Sequence, residues 1–132
     1  MLGRERRRIL IADDHAVARG GLSADLERSG FAVCAEAADA DAAVAAALRE
    51  RPDVCLLDVR MPGDGIAAAQ TIVRELPDTR VLMLSVSHDP DDVAASFGAG
   101  ASGYLYKDAG ADELAEAIDG VLAGGTVFPG RP

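Results

Sequence analysis

The sequence predicts an α/β domain, a doubly wound sheet of five parallel strands with helices on both faces. Three observations predict it. Five short apolar runs alternate with five helical patterns, the connections between them are short, and four of the runs stop at a polar functional group. Strands buried on both sides read as continuous apolar stretches, and strictly alternating strand and helix patterns build a parallel sheet.

The first strand is Arg8-Ile9-Leu10-Ile11-Ala12, and it runs straight into Asp13-Asp14-His15. Val17, Leu22 and Leu26 recur at near-helical spacing and predict the apolar face of the first helix, which Ser29-Gly30 stops. Phe31 to Ala35 is the second strand. An alanine-rich stretch from Asp41 to Glu50 is a strong helix former, with Val44 and Leu48 four apart, and Arg51-Pro52-Asp53 ends it. The third strand is Val54-Cys55-Leu56-Leu57-Asp58, an apolar run that closes on a carboxylate shortly before the Pro62-Gly63 turn.

A third helix begins at Gly65, carries Ile66, Ala69, Ile72, Val73 and Leu76 on one face, and is closed by Pro77. Arg80 to Val86 is the fourth strand, apolar until the hydroxyl of Ser85. Asp89-Pro90 is a helix start, a cap followed by Pro at the first position, and Val93 and Phe97 supply the apolar face of that helix. Gly103-Tyr104-Leu105-Tyr106-Lys107 is the fifth strand. Leu114, Ile118, Val121 and Leu122 mark the last helix, which Gly124-Gly125 ends.

Composition narrows the function classes. The 132 residues suffice for one domain with its own core, and 49% hydrophobic with 27% charged residues is a globular balance. No apolar run approaches the roughly 20 residues that span a bilayer. The charged amino terminus lacks the apolar region of a signal peptide, which points to the cytoplasm. Cys34 and Cys55 lie in apolar runs and read as buried reduced thiols. A net charge of −9 opposes nucleic-acid binding by this segment. The basic cluster Arg4, Arg6, Arg7 and Arg8 reads as a solvated chain end or a contact for an acidic partner. Of thirteen basic residues twelve are arginine, and the lone lysine is Lys107. A compact ammonium and a planar guanidinium do different chemistry, so that choice carries information.

In an open parallel sheet, ligands sit outside the carboxyl ends of the strands. Asp13 and Asp14 follow the first strand, Asp58 ends the third, Ser85 ends the fourth and Lys107 ends the fifth. With strand order 2-1-3-4-5, the first and third strands flank the switch point and the three aspartates converge there. Carboxylates crowded in one crevice resist ionising together, and a divalent cation relieves that repulsion. Mg²⁺ suits such a site because it takes one or two carboxylates together with waters and phosphate oxygens. An aspartate is also a nucleophile towards phosphorus. Each residue alone has a plainer reading: Asp13-Asp14 as a helix start, Asp58 as turn chemistry, Ser85 as a satisfied hydroxyl, Lys107 as a surface charge. Their common placement at strand ends favours the shared site.

These residues resemble the receiver domain of two-component response regulators, in the blocks Leu10-Ile11-Ala12-Asp13-Asp14-His15, Leu56 to Pro62, Leu84-Ser85-Val86-Ser87 and Gly100 to Asp108. Asp-Asp-His and Gly-Ala-Ser-Gly-Tyr-Leu are similar to the NarL/FixJ subfamily, whose members usually carry a LuxR-type output domain that this sequence does not contain. The resemblance implies a flavodoxin-like (βα)5 fold of order 2-1-3-4-5. Residues 8–125 would form the receiver domain, 1–7 an amino-terminal extension, and 126–132 the start of a linker or a frayed end.

It further implies a phosphorylation-dependent switch, not a turnover enzyme. Asp58 would accept a phosphoryl group from a histidine kinase. Asp14, Asp58 and the backbone carbonyl of Arg60 would bind Mg²⁺, with Asp13 acting partly through water. Lys107 and Ser85 would contact the phosphoryl group, and Ser85 with Tyr104 would form the switch pair, Tyr104 turning inward on phosphorylation. A second copy of the chain is an expected partner, and DNA only through the output domain; no membrane or small organic cofactor is expected. Two other classes stay open: a receiver-like binding module that never sees phosphate, and an aspartate-nucleophile phosphohydrolase. The second would resemble its family better with an aspartate where Arg60 stands. A flavin-binding protein of similar fold is disfavoured, because no Gly/Ser/Thr-rich phosphate loop follows the first strand.

This chain departs from the receiver pattern in three places. The turn between Met61-Pro62 and Asp64-Gly65 is one residue shorter than usual, which predicts a rebuilt entry to the third helix. Val86 is bulkier than the small residue often found there and is expected to narrow access to Asp58. Arg60 is a long cation expected to contact the phosphoryl group or to screen Asp58 from water.

Overall fold

The computed structural model describes residues 6–129. Most of the predicted amino-terminal extension, Arg4 included, and the last three residues of the predicted tail lie outside them. Five strands, β1 (Arg8–Ala12), β2 (Ala32–Ala37), β3 (Val54–Asp58), β4 (Arg80–Ser85) and β5 (Gly103–Tyr106), alternate with five helices. The helices are α1 (Ala16–Arg28), α2 (Ala40–Glu50), α3 (Gly65–Glu75), α4 (Pro90–Gly98) and α5 (Ala111–Leu122). The strands pair in parallel in the order β2-β1-β3-β4-β5, as expected.

Side chains on a strand alternate between faces, and here that alternation sorts the core into two halves. Ile9, Ile11, Val54, Leu56, Leu82 and Leu84 point to one face and pack with Leu26, Phe31, Leu114, Ile118 and Val121 from the α1 and α5 side. Leu10, Ala12, Cys55, Leu57, Val81 and Met83 point to the other and pack with Ala43, Ala47, Ala69 and Ile72 of α2 and α3. Alanine dominates α2, so that helix approaches the sheet closely without bulky side chains. Both cysteines are free, with Cys34 half-buried, and burial pushes the Cys55 thiol up to about 12.

Two predicted helix faces are corrected. Val17 is 91% exposed, so α1 rests on Leu26 with Leu22 beside it. Val17 lies in the first turn of α1, right after the loop that carries the strand-end carboxylates, and its face is turned to solvent. In α4 Phe97 is 66% exposed and Ser96 takes the buried position instead, its hydroxyl without a hydrogen-bond partner among the described residues. Val93 still packs on the core, but its inward neighbour is three residues on rather than four. Phe97 meets Phe128 edge to face, with ring centroids 5.4 Å apart.

The short turn before α3 is built from two consecutive left-handed residues, Gly63 at φ +87° and Asp64 at φ +77°. Glycine adopts that conformation freely, and aspartate is among the few other residues that tolerate it. Asp64 then caps α3, its carboxylate accepting from the Ile66 N–H at 2.9 Å. The basic cluster is partly engaged within the fold: Arg8 pairs with Glu50 at 2.9 Å and Arg6 with Glu27 at 3.9 Å. Beyond α5 the chain returns to the open edge of β5. The Tyr104 N–H donates to the Val127 carbonyl at 2.7 Å, and the Val127 N–H to that of Ser102 at 3.0 Å.

Candidate functional site

The parallel register sets the site. Ala12 of β1 lies opposite Leu57 of β3, Asp58 opposite Leu84 of β4, and Ser85 opposite Tyr106 of β5. The residues at these strand ends therefore share one edge of the sheet. Asp13 continues β1, its N–H donating to the Ala37 carbonyl at 3.0 Å. Asp58 closes β3, and the next N–H, that of Val59, donates to the Leu84 carbonyl at 3.1 Å. Both carboxylates are held by backbone that the sheet fixes, and both are nearly enclosed, at 3% and 4% exposure.

Lys107 connects them. Its ammonium donates to Asp13 Oδ2 at 2.7 Å and to Asp58 Oδ2 at 3.0 Å, while its own N–H is anchored on the Ser85 carbonyl at 2.9 Å. A point charge with three donors can serve two carboxylates at once, where a planar guanidinium is shaped to clasp one. The remaining oxygens are also engaged. Asp13 Oδ1 accepts from the His15 N–H at 2.9 Å and Asp58 Oδ1 from the Arg60 N–H at 3.2 Å.

Protonation follows from this arrangement. Burial raises the Asp13 carboxyl, but the Lys107 ammonium and the His15 N–H together outweigh burial and leave Asp13 below its ordinary value. For Asp58 burial prevails over Lys107, with the neighbouring Asp13 charge adding to it, and the carboxyl sits above the ordinary value. Burial pulls the Lys107 ammonium down, and its two carboxylate partners more than reverse that. Lys107 stays charged, and Asp58 is the more basic of the two buried carboxylates.

Asp14 stands more exposed beside them, and Asp13, Asp14, His15 and Asp58 offer ligand atoms that all lie within 4.8 Å of one another. Three carboxylates against one ammonium leave an excess of two negative charges (3 − 1) at this spot. A hard divalent cation with oxygen ligands matches that donor set.

The other predicted residues fall on the same rim. Ser85 is fully buried, and its Oγ accepts from the Ser87 N–H at 2.9 Å. Tyr104 is 1% exposed with its ring already inside, and its hydroxyl donates to the Ser87 carbonyl at 3.0 Å. Val86 is 73% exposed. The Arg60 guanidinium turns to Asp92 of α4, at 2.6 Å, while its backbone stays with Asp58.

Three residues at the site carry roles that sequence reasoning did not assign. His15 reaches both aspartates before it, with Nδ1 3.3 Å from Asp13 and 3.2 Å from Asp14. Ser87 holds both Ser85 and Tyr104, and Asp92 holds Arg60. His15 stood next to the aspartate pair and was legible by adjacency. Ser87 acts through its backbone and Asp92 sits on a distant helix, so neither carries a signal in the sequence.

Comparison with known proteins agrees with the geometry. The family model for the response regulator receiver domain matches residues 9–119. The transcriptional regulatory protein LnrK of Bacillus subtilis is 38% identical over 124 residues, which are 92% of this chain and 56% of that protein. LiaR of the same organism is 42% identical over 113 residues, 84% of this chain and 54% of that one. The chain thus spans about half the length of the curated relatives it matches. Among solved structures, the receiver domain of the response regulator NarL from Mycobacterium tuberculosis superposes with a TM-score of 0.86 at 40% identity, covering 91% of this chain and 98% of that one.

Proposed function

The chain belongs to the response regulator receiver domain family, and its relatives are transcriptional regulatory proteins; from that premise we propose that it is a switch thrown by phosphorylation of Asp58. One observation carries the reading: Lys107 bridges Asp13 and Asp58 beside a third carboxylate, at the sheet edge where the strands end. A carboxylate oxygen of Asp58 attacks the phosphorus of a kinase phosphohistidine, the new P–O bond forming as the P–N bond breaks. The raised basicity of Asp58 suits a nucleophile, and Lys107 offsets charge on the transferred group from one side.

Mg²⁺ fits the donor set. Asp13, Asp14 and Asp58, with the backbone carbonyl of Arg60, would hold it; bound there, it neutralises charge on the phosphoryl oxygens. Ser85 uses its Oγ only as an acceptor among the described residues, so its proton is free for a phosphoryl oxygen. Tyr104 already lies inside, so the phosphoryl group's part is to hold the ring there rather than to draw it in. Moving such an equilibrium from 1:99 to 99:1 takes about 5.5 kcal/mol of differential stabilisation. Two or three charge-assisted hydrogen bonds to the phosphoryl group, at about 1.5–3 kcal/mol each, would be of that order. The partner is a histidine kinase, and control of transcription would pass through an output segment outside these 132 residues.

Incubation with Mg²⁺ and acetyl phosphate, followed by intact mass measurement, tests the reading. The expected result is a gain of one phosphoryl group that Asp58→Asn abolishes. No gain, even with a competent kinase, would favour a binding module. Phosphate release over many turnovers would favour a hydrolase.

A further inference from the structure

A line of hydrogen bonds leads from the acidic site to the segment after α5. The Ser87 N–H donates to Ser85 Oγ at 2.9 Å, the Tyr104 hydroxyl donates to the Ser87 carbonyl at 3.0 Å, and the Tyr104 N–H donates to the Val127 carbonyl at 2.7 Å. Tyr104 is thus tied to the loop after β4 by its hydroxyl and to the returning chain by its backbone. Val127 closes the pairing by donating to the Ser102 carbonyl at 3.0 Å, in parallel register with Gly103. The segment is held on a second side by the contact of Phe128 with Phe97 of α4. Residue 103 has no side chain, and a Cβ there would stand 2.5 Å from Leu82 Cδ1 in the core and 2.8 Å from the Val127 carbonyl oxygen of this segment.

We propose that Thr126–Phe128 is a strap whose grip on the β5 edge reports the state of Asp58, conveyed through Ser85, Ser87 and Tyr104. This rests on the reading that Asp58 is phosphorylated. A Ser85 hydroxyl that donates to a phosphoryl oxygen becomes a better acceptor for the Ser87 N–H, since hydrogen bonds in series polarise one another. Ser87 is then fixed, its carbonyl holds the Tyr104 hydroxyl, and β5 is held where the strap pairs with it. Phosphorylation therefore tightens the strap. Any segment that follows Pro129 is launched from a firm base in one state and a looser one in the other.

Hydrogen exchange of the Tyr104 and Val127 amides in the 132-residue chain, with intact mass on the same samples, reads this directly. Phosphorylation with Mg²⁺ and acetyl phosphate is expected to slow both amides about tenfold. Tyr104→Phe, which keeps the ring and removes the hydroxyl, should accept the phosphoryl group with no slowing. Phe128→Ala leaves the site untouched and should quicken both amides without phosphorylation, as should Gly103→Ala. A mass gain of one phosphoryl group with amide rates unchanged or faster overturns the proposal while leaving the switch intact. Unchanged rates in both Phe128→Ala and Gly103→Ala also overturn it. Absence of any mass gain removes the reading on which it rests.

Discussion

The Lys107 ammonium stands 3.0 Å from Asp58 Oδ2 although 49 residues separate the two in the chain. The contact is made by a surface-directed strand end, not by a helix face, so its geometry is set by the pairing of β3, β4 and β5. Lys107→Met removes the cation opposite the nucleophile and should lower the rate of phosphorylation by acetyl phosphate about a hundredfold, the usual effect of deleting a preorganised donor. Lys107→Arg should rescue little, because a planar fork does not bridge two carboxylates as a point charge does. Rates within about twofold of wild type in Lys107→Met would dismiss the role.

Asp13 and Asp58 are expected to move stability in opposite directions with pH. Asp13 is held below its ordinary value, so its contribution is complete above the unfolded-chain value and is lost as pH falls through the lower folded one. Asp58 is raised, so its ionisation opposes folding; that cost is absent in acid and complete once pH exceeds the raised folded value. Without a divalent ion, Asp58→Asn should melt higher than wild type at pH 7, and its advantage should shrink towards pH 3. Asp13→Asn should melt lower at pH 7. Thermal melts across that range check both signs.

Adding Mg²⁺ should stabilise the wild-type chain, since an ion that binds only the folded site shifts the unfolding equilibrium. At ten times its Kd the gain is about 1.4 kcal/mol. Asp14→Asn, which removes the exposed carboxylate of the cluster, should lose most of that gain at the same concentration. Equal melting shifts in the two proteins would exclude Asp14 from the ion site.

Gly65 begins α3 directly beneath Asp58. A Cβ at this position would stand 1.9 Å from the Asp58 carbonyl oxygen, closer than any relaxation of side chains can relieve. Gly65→Ala should cost about 2 kcal/mol or more by displacing backbone, and should slow phosphorylation as well. Gly110→Ala meets open space and serves as the control. Denaturant melts distinguish the two.

The pair of Arg60 with Asp92 links the loop after β3 to α4 at 2.6 Å, with Arg60 63% exposed. At that exposure it contributes about 0–1 kcal/mol to stability, so its role is better sought in the lifetime of the phosphoryl group. If the pair as a unit screens Asp58 from water, Arg60→Ala and Asp92→Ala should shorten that lifetime equally. A change confined to Arg60→Ala would assign the contact to Arg60 alone, and three equal lifetimes would remove both.

The strands and the carboxylates were legible because their signals are local: an apolar run and the polar residue that stops it. Sheet order followed from the resemblance and from the rule for parallel sheets. Helix faces were less legible where the helix is thinly covered. The spacing of Val17 and of Phe97 fits an inward face, yet both are exposed, because periodicity says which residues share a side and not which side the sheet occupies. In α4 the buried position falls to Ser96, while Phe97 meets Phe128 of the returning chain edge to face. The pairing of Arg60 with Asp92 and the backbone role of Ser87 arise only when separate segments meet.

The single lysine has a practical corollary. Among these 132 residues, reagents that acylate primary amines meet one side-chain target, Lys107, and it lies inside the acidic pocket. Succinimidyl dyes, amine-coupled sensor surfaces and lysine crosslinkers would therefore strike the site they are meant to observe. The same chemistry offers a probe, for modification of Lys107 should slow whenever the pocket is filled.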